Sequence, residues 1–244
     1  MTQPKAKISV VIPAFNEEKY VGSCLRSVLR AATPDVAEII VVDNGSTDRT
    51  AAVATSFPGV RVVRENRRSP SFARQRGYKA SKHQIITFID ADCRVQPGWF
   101  EAVTSEFAKD PKLVCLSGPY LYKEQDLPAL THRVTAQIFW SVVAPLTYAI
   151  TGFAVTGGNA AVRRSALDAI GGIDTRIAFY GDDTNLARRL HRVGTVKFRR
   201  SFGMYTSGRR ISRTFLKTNF YYGLNYVTEA VLHRPATRYY DNVR

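Results

Sequence analysis

In the stretch "ITFIDADC" (86–93), Asp90 and Asp92 follow an apolar run and are separated only by Ala91. An apolar run that ends in two carboxylates requires a cation or hydrogen-bond donors at that end. Two other apolar runs end in the same way, at "PAFNEE" and "DNGSTD", and a further acidic pair, Asp182–Asp183, opens "GDDTNLARRL". Acids gathered at one place repel each other, and a divalent ion with a taste for hard oxygen ligands, Mn2+ or Mg2+, resolves that repulsion. No Gly-x-Gly-x-x-Gly follows the first run, and the chain has no Gly-x-x-x-x-Gly-Lys-[Ser/Thr]. A phosphate would then be held by the metal and by basic side chains, for which "ENRRSPSFARQRG" offers Arg67, Arg68, Arg74 and Arg76. Each cluster also has a plain structural reading. Asp90 and Asp92 can end a strand, Asp182 and Asp183 can cap a helix, and Asp43 with Ser46 makes good turn chemistry.

Positioning these groups requires alternating elements. "KISVVIPAF", "AEIIVVDN", "VRVVRE" and "QIITFIDAD" read as strands. Between them, "NEEKYVGSCLRSVLRAA", with Val21, Leu25, Val28 and Leu29 at helical spacing, "GSTDRTAAVATSF", with Ser46 and Thr47 as capping residues, and "SPSFARQRGYKAS" read as helices. Nearly continuous Val/Ile runs predict strands buried on both faces, hence an α/β fold with a doubly wound, mostly parallel sheet flanked by helices. In such sheets ligands gather beyond the carboxyl ends of the strands, where the acids stand. The second half reads as a helix from Gly98, a strand at "LVCLSGPYLY", an uncharged segment, a strand at "GNAAVRR" and a helix at "DDTNLARRLHRVG". The expected organisation is one domain over 1–208 and a basic, aromatic helical extension over 209–244.

The 244 residues, 45% of them hydrophobic and 23% charged, suffice for a full core. Three cysteines, Cys24, Cys93 and Cys115, fit neither a disulfide framework nor a metal spacing, which favours a reducing compartment. His132 and His191 lack spacing partners for a metal. The N-terminal apolar run is too short for a signal peptide, so a cytosolic start is expected, with the inner face of the plasma membrane as the surface nearby. The net charge is +15, and from Lys197 onward ten Lys or Arg face only Glu229 and Asp241. Such a tail suits an anionic membrane or a phosphorylated substrate. Nucleic acid is disfavoured, because the charge sits mostly in the tail and no aromatic–basic RNA-binding motif accompanies it. No Asp, Glu, Lys or Arg lies between Arg133 and Arg163. Pro145 and Gly152 interrupt this stretch, which points to a helix against the core or in a membrane interface rather than to a span. Together with Phe215, Phe220, Tyr221, Tyr222 and Tyr226, interleaved with Arg213 and Lys217, it suggests peripheral membrane contact.

In order and spacing, "VVIPAFNEE", "VVDNGSTDRT", "ARQRG" and "FIDADC" resemble the nucleotide-sugar half of glycosyltransferase family 2, the inverting GT-A enzymes. "GGNAAVRRSALDAIGGID" and "GDDTNLARRLHRVG" resemble that family's acceptor half. The resemblance, which runs from about Ile8 to Gly194, implies a GT-A fold and a metal-dependent transfer from a nucleotide-diphosphate sugar. The acceptor is a hydroxyl, on a soluble or lipid-linked glycan, or a polyprenyl phosphate. By the same resemblance Pro13, Ala14 and Glu17 pack around the nucleotide. Asp43 meets the base, with Asn44 where the family usually has a second aspartate, and Ser46 follows in the same turn. Arg74 lies near the base and diphosphate. Asp90, Ala91 and Asp92 form the Asp-x-Asp motif, Asp92 directly on the metal and Asp90 on the ribose or a metal-bound water. Gly158 and Asn159 help bind the nucleotide sugar, Asp183 is the general base with Asp182 beside it, and Arg209 or Arg210 covers the diphosphate. The N-terminus of the helix is expected to favour ionised Asp183.

Overall fold

A computed structural model describes residues 6–123, 130–177, 181–209 and Thr228. Arg210 and all but Arg209 and Thr228 of the expected C-terminal extension lie outside the described residues. The first half alternates as expected: β1 (Ile8–Ala14), α1 (Val21–Ala31), β2 (Val36–Asp43), α2 (Thr50–Thr55), β3 (Val60–Arg64), α3 (Pro70–Ala80), β4 (Ile85–Ile89) and α4 (Trp99–Lys109). There follow β5 (Leu113–Ser117), β6 (Tyr120–Leu121), α5 (Leu130–Ile138), α6 (Ala144–Thr151), β7 (Asn159–Arg163), α7 (Arg164–Ala169), α8 (Asp182–His191), β8 (Thr195–Phe198) and β9 (Met204–Tyr205).

Seven strands form one sheet in the order β3-β2-β1-β4-β7-β5-β8, and β6 pairs with β9 apart from it. Only β7 runs against its neighbours in the large sheet. The register aligns the strand ends, with Ala14 opposite Asp43, Asp43 opposite Arg64, and Ile89 opposite Asn159. The acidic turns therefore share one edge. Alternate β1 residues feed two cores: Ile8, Val10 and Ile12 face Leu25, Val28, Phe100 and Val103 of α1 and α4, while Val11 faces Ala73, Leu167 and Leu186 of α3, α7 and α8. Each such large apolar side chain, fully buried, contributes roughly 1.5–3 kcal/mol.

Three local expectations are corrected. The edge strand β3 is only partly buried, because among the described residues no strand lies beyond it. Ser46 and Thr47 do not cap α2, which starts at Thr50; Asp48 takes that role, accepting from the Thr50 amide at 2.9 Å. Pro145 does not break the uncharged segment. The chain is helical from Leu130 to Thr151, with a π-helical turn at Phe139–Val143 between α5 and α6. Proline clashes with the carbonyl four residues back and leaves it without a donor. Here that residue is Ser141, inside the wider turn. Gly152, at φ 75°, ends the helix.

Candidate active site

Asp90 and Asp92 leave β4 on separate errands. One Asp90 oxygen accepts from the Arg74 guanidinium at 3.2 Å and the other from the Tyr120 hydroxyl at 2.9 Å. Gly158 is packed against this carboxylate so closely that a Cβ there would stand 2.2 Å from Asp90 Cγ and 2.3 Å from Tyr120 Oη. Asp92 accepts from Ser207 Oγ at 2.8 Å and from Arg209 at 3.2 Å. The same Arg209 guanidinium donates to Glu17 and lies over the Tyr20 ring, 4.4 Å from its centroid. One positive charge thus already bridges the first-strand acid and the second acid of the Asp-x-Asp.

Across the edge, α8 opens with Asp182 and Asp183 after Gly181, whose φ of 94° suits glycine. Arg74 is buried beneath them, its Nη1 2.6 Å from Asp182 and 3.5 Å from Asp183. Burial alone would lower the Arg74 pKa, but the charges of Asp183, Asp90 and Asp182 override it and hold the guanidinium well above its ordinary value. Asp182 is locked to Arg74, with burial raising its pKa. Asp183 accepts from the Gly157 amide at 2.8 Å and keeps 35% of its side chain exposed, within reach of a substrate. Burial first and the Asp182 charge second push its carboxyl up to about 7, against Arg74 and the Gly157 amide. The pull of the helix N-terminus toward the ionised form is outweighed here, since one helix end is a weaker influence than desolvation beside a second carboxylate. A Cβ at Gly157 would fall 1.9 Å from Asp183 Oδ1, so glycine is what lets the carboxylate reach that amide.

At the other end of the edge, Pro13, Ala14 and Ala91 are buried beside the turn. One Asp43 oxygen accepts from the Ser46 amide at 3.1 Å, and Ser46 Oγ accepts from Asn16 N at 3.1 Å. Two of the expected contact residues are engaged by the protein itself. Asn44 is buried and spends its amide on the carbonyls of Glu65 and Arg67 and on the Ser69 amide, so it ties β2 to β3 and to the start of α3. Asn159 has no exposed surface. It accepts from the Trp99 indole at 3.0 Å and donates to Pro119 and Phe202 carbonyls, so it fastens β7 within the core. Arg67 turns to Glu65, Arg68 covers Phe15, and Arg76 is exposed. Tyr120 and Gly157 were not among the expected site residues. Their only signals were a tyrosine after a strand and a glycine pair before one.

The acids suit a hard divalent ion only in part. Among the described residues no group of three or more His, Cys, Asp or Glu side chains could hold a metal by itself. Asp92, joined to Glu17 through Arg209, offers one or two oxygen ligands at a place where the fold already holds positive charge. That is the donor set on which Mg2+ or Mn2+ commonly sits when phosphate and water complete the shell.

The fold has known counterparts. The fold superposes over 95% of this chain on 64% of the mannosyltransferase PcManGT from Pyrobaculum calidifontis, at a TM-score of 0.70 and 18% identity. Glucosyl-3-phosphoglycerate synthase from Mycobacterium tuberculosis follows with a TM-score of 0.66, 21% identity, and coverage of 97% of this chain and 82% of that one. These likenesses identify the fold as GT-A. In sequence, the uncharacterized glycosyltransferase EpsJ of Bacillus subtilis is 32% identical over 103 residues, 41% of this chain and 30% of its own length. The chain likewise spans 41% of the glycosyltransferase GlyG of Streptococcus pneumoniae, so its match to such relatives is confined to one part of each. The family model described as "Glycosyl transferase family 2" matches residues 9–171, two thirds of the sequence. An Asp-x-Asp at the end of β4, a buried arginine beneath three carboxylates and an open aspartate at the head of α8 thus sit in a chain that belongs to glycosyltransferase family 2.

Proposed function

We propose that this protein moves a sugar from a nucleotide-diphosphate donor to an acceptor hydroxyl in one inverting, divalent-metal-dependent displacement, with Asp183 as the general base. The observation that carries this reading is the state of Asp183. It is fixed by one amide, open on one side, and raised to about 7, close to the pH at which a base is most useful. The family supports it, as do the fold neighbours, one described in complex with GDP-Man and Mn2+ and the other with Mn2+ and UDP.

In the reaction, Asp183 takes the acceptor's hydroxyl proton. The acceptor oxygen bonds to the anomeric carbon on the face opposite the nucleotide, and the bond from that carbon to the diphosphate oxygen breaks with its electron pair. A single displacement inverts the anomeric centre. Asp182 and Arg74 hold Asp183 in place and set its charge. Asp90, oriented by Arg74 and Tyr120, serves the donor's ribose or a metal-bound water. Asp92 and Glu17 are the side chains that would hold Mn2+ or Mg2+, which supplies positive charge to the departing diphosphate. Arg209 adds to that charge from the protein.

The test is release of nucleoside diphosphate from a panel of UDP-, GDP- and dTDP-sugars with and without Mn2+, with the product anomer read by NMR. Metal-dependent release and an inverted product are expected; silence across the panel, or a retained anomer, would refute the proposal. A second reading, a polyprenyl-phosphate acceptor, is favoured by the apolar helix that reaches the site through Trp140 and Tyr120. A phosphate nucleophile needs little help from a base, so in that case Asp183→Asn would weaken transfer without abolishing it.

A further inference from the structure

The helix from Leu130 to Thr151 has two faces that do not match an ordinary surface helix. Ala136, Trp140, Ala144 and Tyr148, each four positions after the last, turn inward. Ala136 and Ala144 are buried, and Trp140 and Tyr148 pack with Phe139 on Phe198 and Ala154. Two positions away, which is about 200° round a helix, runs Leu130, Val134, Ile138, Val142, Leu146 and Ile150. All six are exposed, from 46% at Val134 to 76% at Ile150. A four-residue repeat drifts by about 40° a step around an α-helix, and the wider π-helical turn at Phe139–Val143 takes up part of that drift. The result is one long apolar stripe directed away from the domain, where polar residues would ordinarily face water.

The stripe's surroundings say what would cover it. Residues 127–167 contain no Asp or Glu, and the chain as a whole carries +15. Phe198, on which the helix rests, stands between Lys197 and Arg199, with exposed Arg200 next in sequence. Lys197 and Arg199 share one acid, Glu106, at 2.6 and 2.7 Å, which leaves this cluster with Arg200 net positive. An apolar stripe without acids of its own beside a net basic cluster is complementary to an anionic lipid surface. A transmembrane orientation is disfavoured even though the 18 residues Val134–Thr151 are long and apolar enough, because the inward face of the helix is packed along the domain. A helix held on that face is placed to lie flat. It also lies beside the site: the Trp140 ring meets Tyr120 edge-on at 5.9 Å, and Tyr120 holds Asp90.

We propose that this helix is a membrane-docking element that lies in the headgroup region of an anionic bilayer. It would bring the catalytic edge against the lipid surface, so that the acceptor is a lipid-borne hydroxyl or phosphate. The acceptor part of the proposal rests on the transferase reading above; the docking part does not.

The experiment is flotation of the full chain with vesicles of phosphatidylcholine alone and with phosphatidylglycerol added, at low and high salt. The variants are the triple substitution Ile138→Asn, Leu146→Asn, Ile150→Asn, and Asp183→Asn. The wild type should float with anionic vesicles and much less with neutral ones. The triple variant should lose at least tenfold in partitioning while keeping its melting temperature and its nucleotide-induced thermal shift. Asp183→Asn should float like the wild type, so that a wrong catalytic reading leaves the docking result intact. A wild type that stays unbound, or a triple variant that floats as well as the wild type, would overturn docking by this helix. So would a wild-type dimer that the triple variant renders monomeric, since the stripe would then be a protein interface.

Discussion

The residues at the catalytic edge divide the labour of charge. Asp182 is spent on Arg74, and Asp183 remains available, held near 7 partly by the negative charge next to it. A base must be ionised to work. The Asp183 pKa is raised, so wild-type kcat/KM for transfer to a hydroxyl should fall about tenfold per pH unit below about 7. Asp182→Asn removes the neighbouring charge, and the acid limb of the profile should move to lower pH. A limb that stays in place would detach Asp183 from the rate. Asp183→Asn should lower kcat roughly 100- to 10,000-fold while donor binding persists, as measured by nucleotide-induced thermal shift. Arg209 offers a separate test. Its removal leaves Glu17 and Asp92 without their shared cation, and Arg209→Ala should cost about 2 kcal/mol, discounted for its partial exposure. On a chain of this size that is about 4–8 °C in melting temperature. Mn2+ should restore more of that loss in the variant than it adds to the wild type. At this scale the sequence disclosed the acids but not their partners. Asn44 and Asn159 follow or open strands as ligand residues do, and nothing in their neighbourhood shows that backbone carbonyls distant in sequence consume their amides.

The elements were the most legible level. Periodicity placed β1 to β4 and α1, α3 and α4 close to where they stand, because each buries a regular stripe against the sheet. Reach from one element to another was hidden. Pro145 reads as a helix breaker unless a π-helical turn is allowed ahead of it, and Tyr120 meets Asp90 from β6, a strand whose partner β9 lies more than eighty residues on. Gly77 shows how such reach is built into α3. A Cβ there would meet Val11 Cγ1 at 2.2 Å, and Val11 is fully buried in β1. Alanine favours a helix by about 1 kcal/mol over glycine, but overpacking a core costs roughly 1–3 kcal/mol and here should win. Gly77→Ala is expected to lower the melting temperature by a few degrees and, because Arg74 lies one turn earlier in α3, to reduce kcat as well. Calorimetry with steady-state kinetics checks both, and a variant as stable and active as the wild type would show that α3 has room to shift.

For the whole molecule, composition foretold an α/β domain of adequate size and a strong positive field, but not where that field acts. A net charge of +15 should steer a doubly negative donor toward the protein. Raising the ionic strength from about 0.02 M to 0.2 M shortens the screening length severalfold. The association rate for a nucleotide sugar, followed by stopped-flow fluorescence, should therefore fall severalfold, with the dissociation rate changing less; equal rates at both salts would place the basic residues too far from the entrance to matter. The antiparallel strand β7 has a temporal consequence. Among the described strands it alone joins β4 to β5, pairing Ile89 with Asn159 and Ser117 with Ala160, so during synthesis Asp43, Asp90 and Asp92 emerge well before the strand that completes their sheet. Closing so distant a pairing is slow. Until Gly157 and Gly158 slot in, Asp90 lacks the wall that also holds Asp183, and a nascent chain that has folded its first four strands carries the Asp-x-Asp acids without the base proposed to act with them.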